Sequence, residues 1–156
     1  MKMEVERIEK LYQKYKTEQG RITFEDFKKM MHEEFSIVEC KTNDRIIKFI
    51  FKALDGEGFL NFNDGRLNIN EFKAILSFFP AKFENPYGDL VTILFKIMDK
   101  DGNGYLDVKE LEYFFKKIDE EVPDLVSKVM MENFDDNNDG IMQFDEFIEF
   151  IKLDTY

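Results

Sequence analysis

Apolar residues recur along this chain at helical spacing. Leu90, Val91, Leu94, Phe95 and Met98 form one stripe, and Leu111, Phe114, Phe115 and Ile118 form another. Leu125, Val126, Val129, Met130 and Phe134 repeat the pattern, followed by Phe144, Phe147, Ile148 and Ile151. The first half shows the same stripes, in Ile46, Ile47, Ile50, Phe51 and Leu54 and in Phe72, Ile75, Leu76 and Phe79. Each set is one face of an amphipathic helix, and the whole pattern predicts an all-α chain of eight helices, each about three turns long. Between the stripes the chain turns rich in Gly, Asn and Asp, the chemistry of turns. Asn85-Pro86 is read as a helix start, and Pro123 as the opening of the helix before the last loop.

The loops repeat. Gly20, Gly65, Gly104 and Gly140 each stand two places before an apolar residue (Ile22, Leu67, Leu106, Met142) and six before an acid (Asp26, Glu71, Glu110, Glu146). Each acid is followed at once by Phe27, Phe72, Leu111 or Phe147. One unit of helix, Gly-centred loop and helix therefore occurs four times. The two prolines of Phe79-Pro80-Ala81-Lys82-Phe83-Glu84-Asn85-Pro86 interrupt helix propagation. They divide the chain into an expected N-lobe over 1–80, a linker over 81–86 and a C-lobe over 87–156.

Composition narrows the chemistry. A net charge of −11 argues against nucleic acid, which needs a basic footprint, and favours cations and basic peptides. At 44% hydrophobic residues, with 18 Phe and no Trp, the chain can build a core. Cys40 is the single cysteine, so no internal disulfide forms and a reduced, cytoplasmic setting is expected. His32 is the single histidine. Zinc sites usually draw on several His or Cys, so His32 is read as a bystander. The charged start carries no signal peptide, Lys2 stands where myristoylation needs Gly, and no apolar run reaches the ~20 residues of a membrane helix. No direct membrane anchor is expected.

The acids sit where cation chemistry needs them. In Asp99-Lys100-Asp101-Gly102-Asn103-Gly104-Tyr105-Leu106-Asp107-Val108-Lys109-Glu110, oxygen-bearing side chains occupy positions 1, 3, 5, 9 and 12, with Gly at 6. Ca²⁺ takes about six to eight oxygen ligands at about 2.3–2.6 Å. Alternating carboxylates and amides on a tight turn supply them: Asp99, Asp101, Asn103, the Tyr105 carbonyl, Asp107 through water, and both oxygens of Glu110. The segment Asp135–Glu146 repeats the set with Asp135, Asn137, Asp139, the Ile141 carbonyl, Gln143 through water, and Glu146. Both loops satisfy D-x-[DN]-x-[DN]-G-x₅-E in full. Asp99-Lys100-Asp101-Gly102 also shares letters with the nucleophile motif of haloacid-dehalogenase-type phosphatases. That motif requires a parallel α/β sheet, and no β-branched run precedes Asp99.

These loops resemble the EF-hand family, and the four-unit layout resembles calmodulin and its relatives. The resemblance implies two lobes of paired helix-loop-helix units with a short β pairing between loops, so Leu106 and Met142 should face each other antiparallel. It implies two Ca²⁺ ions, which would offset part of the negative charge. The first half departs from the pattern. With Asp26 at position 12, loop one has Tyr15, Thr17 and Gln19 at positions 1, 3 and 5, too few oxygens for Ca²⁺. With Glu71 at position 12, Leu60 and Phe62 fall at positions 1 and 3. An enlarged loop from Asp55, Glu57, Asp64 and Glu71 is an alternative, but a metal-free loop closed by Phe packing is the expectation.

In sensor members of the family, ion binding exposes an apolar groove. Its candidates here are Met98, Phe114, Phe115, Met130, Met131, Phe147 and Phe150, each of which is taken singly as core. An acidic rim around such a groove selects a basic amphipathic helix as target. A Ca²⁺ sensor is the leading expectation, with a Ca²⁺ buffer and a constitutive, light-chain-like subunit as alternatives. No nucleophile–base constellation or phosphate-cradling loop is visible, so no enzyme activity is expected.

Overall fold

The computed structural model describes residues 3–54, 65–118, 125–135 and 138–152. Among these, eight helices follow one another: α1 (Val5–Tyr15), α2 (Phe24–Glu34), α3 (Lys41–Leu54), α4 (Ile69–Leu76), α5 (Pro86–Met98), α6 (Val108–Ile118), α7 (Leu125–Phe134) and α8 (Phe144–Lys152). Two short strands occur in the N-terminal half, β1 (Ile22–Thr23) between α1 and α2 and β2 (Arg66–Leu67) between α3 and α4. The fold is all-α with paired loops, as the periodicity predicts. Contacts group the chain into two compact units, Met1–Ile93 and Leu94–Tyr156.

In the N-terminal unit, β1 and β2 pair antiparallel with Ile22 opposite Leu67. These are the apolar residues two places after Gly20 and Gly65, and both are fully buried. The predicted stripes form the core: Ile46, Ile47, Ile50 and Phe51 from α3 pack with Phe72, Ile75 and Leu76 from α4 and with Phe27, Met30 and Met31 from α2. Burying each such side chain contributes about 1.5–3 kcal/mol before conformational entropy is subtracted. Phe35 stacks edge-on against Phe79 and also meets Phe83, so the segment after α4 lies on this unit. Arg7 sits over the Phe35 ring and donates to the Ala81 carbonyl at 2.8 Å. The start of α5 is closed by Asp89, whose carboxylate accepts from the N–H groups of Glu84 and Asn85.

In the C-terminal unit, Leu94, Leu111, Phe114, Phe147, Phe150 and Ile151 are buried. Phe95 meets Phe144 and Phe147 edge-on, and Phe115 and Phe134 each meet Phe150. The α7 stripe departs from expectation. Val129 is 43% exposed, Met130 is only partly buried, and Met131 takes the core position instead. Among the described side chains of α7, burial follows packing against α6 and α8 rather than spacing alone. Of the groove candidates, Met98, Phe114, Phe115, Met131, Phe147 and Phe150 are all buried in this conformation. No helix of the described residues is long and apolar enough to cross a membrane.

Candidate metal centre

Loop three begins where α5 ends, with the Asp99 N–H donating to the Phe95 carbonyl. Gly102 and Gly104 then adopt φ of +69° and +90°, a region other L-residues enter only at a cost. This turns successive N–H groups inward. Gly104 N–H donates to Asp99 Oδ2 at 2.8 Å, Asn103 N–H to Asp101 Oδ1 at 3.2 Å, and Tyr105 N–H to Asn103 Oδ1 at 3.2 Å. Asp99, Asp101 and Asn103 are thus each oriented by an N–H further along the loop. The loop closes on α6 through a reciprocal cap, in which Asp107 N–H donates to Glu110 Oε1 and Glu110 N–H donates to Asp107 Oδ1. Asp101 N–H reaches the other Glu110 oxygen at 3.4 Å.

Three carboxylates converge as a result. One oxygen each of Asp99, Asp101 and Glu110 lies within 4.8 Å of the others. Asp99 Oδ1 is buried and accepts no hydrogen bond. A buried carboxylate oxygen without a donor costs about 1–3 kcal/mol unless a cation approaches it. Burial pushes the Glu110 carboxyl above its ordinary value, the Asp107 and Asp101 charges add to this, and the N–H bonds from the same two residues oppose it. Crowded, oxygen-only and short of positive charge, this donor set fits a hard divalent cation.

Loop four repeats the construction. Gly140 at φ +79° donates its N–H to Asp135 Oδ2 at 2.7 Å, and Asp139 N–H donates to Asp135 Oδ1. Ile141 N–H donates to Asp139 Oδ1, and Gln143 N–H donates to Glu146 Oε1 at 2.9 Å. Asp135 and Glu146 are buried. The expected ligand Asn137 lies outside the described residues. The loops are joined back to back: Leu106 and Met142 exchange both backbone hydrogen bonds, at 2.8 and 2.7 Å, in an antiparallel bridge.

Residues 87–152 match the family described as EF-hand domain pair. The C-terminal half thus carries an EF-hand domain pair, and the similarities support a calmodulin-like EF-hand protein. It is similar to troponin C isoform 2 of Caenorhabditis elegans, with 30% identity over 108 residues, 68% of this chain and 64% of the relative. It is similar to calmodulin-like protein 6 of Homo sapiens, with 26% identity over 94 residues, 60% of this chain and 51% of the relative. A calcineurin subunit of Naegleria gruberi matches at 27% over 146 residues, 90% of this chain and 76% of the relative. The chain thus spans less than two thirds of the worm troponin C and about half of the human calmodulin-like protein.

The N-terminal EF-hand loops are built differently. In loop one, Tyr15 stands at the first ligand position but sends its hydroxyl to Glu33 and Glu34 at 2.8 Å each. Thr17 closes the turn through bonds with Gly20 and Arg21, and the Tyr12 hydroxyl donates to the Gly20 carbonyl. The backbone groups an ion would organise are tied by the protein itself. In loop two, Asp55, Glu57, Leu60, Phe62 and Asp64 lie outside the described residues. Glu71 is buried, and its carboxylate accepts from Asn68 N–H at 2.9 Å.

Spacing read for ligands alone missed one role of the position-12 acids. Asp26, Glu71, Glu110 and Glu146 each accept from the N–H three residues earlier. The signal was present as Thr23-x-x-Asp26 and Asn68-x-x-Glu71, the spacing of a capping box.

Proposed function

We propose that this protein is a Ca²⁺ sensor whose C-lobe, over residues 87–156, binds two ions and then engages a basic amphipathic helix. Loop three would use Asp99, Asp101, Asn103, the Tyr105 carbonyl, Asp107 through water, and Glu110. Loop four would use Asp135, Asn137, Asp139, the Ile141 carbonyl, Gln143 through water, and Glu146. The observation that carries the reading is the buried, undonated Asp99 Oδ1 beside oxygens of Asp101 and Glu110. Bound Ca²⁺ supplies positive charge that offsets the clustered carboxylates. The Leu106–Met142 bridge ties the two loops rigidly together, so ordering one favours the other and binding is cooperative. The N-lobe over 1–80 stays metal-free of Ca²⁺, the 81–86 segment joins the lobes, and the protein acts in the cytoplasm without catalytic activity.

The test is calorimetric titration of Ca²⁺ into the intact chain and into Glu110→Gln and Glu146→Gln. Two ions are expected in the parent and about one in each variant. An unchanged stoichiometry of two in both variants rejects the ligand assignment. Three ions in the parent would return loop two as a site.

A second reading is a constitutive subunit held by its N-lobe. It is favoured by the self-closed loop one, and the Naegleria gruberi relative carries the name of a subunit. Under that reading, a partner recovered with the protein stays bound in chelator. Under the sensor reading it is released.

A further inference from the structure

His32 lies in the last turn of α2, Asp44 in the first turn of α3, and Glu39 in the connector between them. The connector is fixed at several points. Ser36 adopts φ +55°, and Ile37 is buried with its N–H on the Met31 carbonyl. Asn43 donates to the Val38 carbonyl at 3.0 Å, and Asp44 N–H donates to the Cys40 carbonyl at 2.9 Å. These bonds hold Glu39 and Asp44 beside the imidazole.

The ring's protonation follows from its partners. His32 Nδ1 lies 2.6 Å from the Ile37 carbonyl. A carbonyl only accepts, so Nδ1 carries a proton, and in the neutral ring Nε2 then presents a lone pair. That lone pair meets Asp44 Oδ1 at 3.0 Å. Both atoms are buried, and neither makes a hydrogen bond. A neutral Nε2 and the Asp44 carboxylate held face to face in a buried place repel unless a proton or a metal cation lies between them. One ligand oxygen of Glu39 completes a group whose atoms all lie within 4.8 Å of one another.

We propose that His32 Nε2, Glu39 and Asp44 bind a divalent cation of the zinc class in the N-terminal unit. An imidazole with two carboxylates suits Zn²⁺ better than Ca²⁺ or Mg²⁺, which prefer oxygen alone. Zn²⁺ bonds of about 2.0–2.2 Å place tetrahedral ligands about 3.3 Å apart, close to the His32–Asp44 separation. The charges balance, two carboxylates against one dication. The Nδ1–H bond to the Ile37 carbonyl is the outer contact that metal-bound histidines use to fix their tautomer. Glu39, which is exposed, closes in by side-chain rotation, and water completes the shell. Such an ion ties α2 to α3 and so joins the two helix-loop-helix units of the N-terminal half.

The experiment uses the full chain in saturating Ca²⁺, so that the C-terminal loops are occupied before Zn²⁺ is added. Because His32 is the only histidine, its ring nitrogens give one unambiguous NMR signature. Zn²⁺ should shift Nε2 and leave Nδ1 protonated. His32→Gln and Asp44→Asn should each weaken Zn²⁺ binding about tenfold or more, while Cys40→Ser should leave it unchanged. The proposal is overturned if Zn²⁺ binds His32→Gln as tightly as the parent, or if Cys40→Ser abolishes uptake. A parent ring signal unmoved by Zn²⁺ also overturns it, and that measurement needs no variant to fold.

Discussion

Glu71 and Asn68 cap each other: Asn68 N–H donates to Glu71 Oε1 at 2.9 Å, and Glu71 N–H donates to Asn68 Oδ1 at 2.8 Å. Asp107 and Glu110 make the same exchange in loop three. The acid that ends an EF-hand loop therefore has two employments, closing the following helix and facing the loop interior. A loop can lose its other ligands and still need this residue. Asn68→Ala should lower stability by about 1 kcal/mol, the ordinary cost of a lost cap, measured by urea denaturation. Glu71→Gln keeps a capping side chain and should leave Ca²⁺ stoichiometry unchanged; a lost ion would instead make Glu71 a ligand.

That double role explains what spacing could and could not reveal. The four-fold Gly-to-acid repeat located every described loop, because turn geometry and helix capping are both local and both demand particular residues. Leu106 and Met142 were legible as partners because position 8 is apolar in all four units. The α7 face was not legible: Val129 and Met130 are spaced as well as Met131 for burial, and only contacts with α6 and α8 choose among them. His32 was also opaque. Its significance rests on Asp44, twelve residues on and in another helix, and on a carbonyl that fixes its tautomer. Neither leaves a trace in composition or in metal-ligand spacing.

The buried state of Phe114, Phe115, Met131 and Phe150 makes the sensor reading measurable. If Ca²⁺ rearranges the C-terminal helices, these side chains become accessible to an apolar dye. ANS fluorescence should rise on adding Ca²⁺ to the parent, and should rise less with Glu110→Gln and Glu146→Gln combined. A flat response while two ions bind would identify a buffer.

The α1–α2 contact gives a pH dependence with a definite sign. Hydrogen bonds from Lys14 and Tyr15 hold the Glu34 carboxyl below its ordinary value of 4.5. A lowered acid contributes stability above its unfolded value, so this contribution is lost as pH falls below about 4.5. The Tyr15 hydroxyl is pushed up, first by burial and then by its bonds to Glu34 and Glu33, and Lys14 is raised by its bond to Glu34. Both favour their protonated forms in the fold, so their contributions are lost as pH rises beyond about 10. Thermal melts of the Glu34→Gln variant across pH should show a shallower fall on both flanks than the parent.

Arg7 offers the most direct test of how the segment after α4 is held. Its guanidinium lies 5.2 Å from the Phe35 ring centroid and donates to the Ala81 carbonyl, while Phe83 packs on Phe35 and Phe79. Lys82, between them, is exposed and open to trypsin only when the surrounding backbone loosens. Arg7→Ala removes the stacked cation and the carbonyl's donor together, and a loss of about 1–2 kcal/mol in local stability corresponds to roughly 5- to 30-fold more opening. Arg7→Lys keeps the charge but not the planar fork, and should fall between. Limited trypsinolysis followed by mass spectrometry should therefore show cleavage after Lys82 fastest in Arg7→Ala, then in Arg7→Lys, then in the parent. Equal rates in all three would mean that the Phe35–Phe79–Phe83 cluster holds the segment without Arg7.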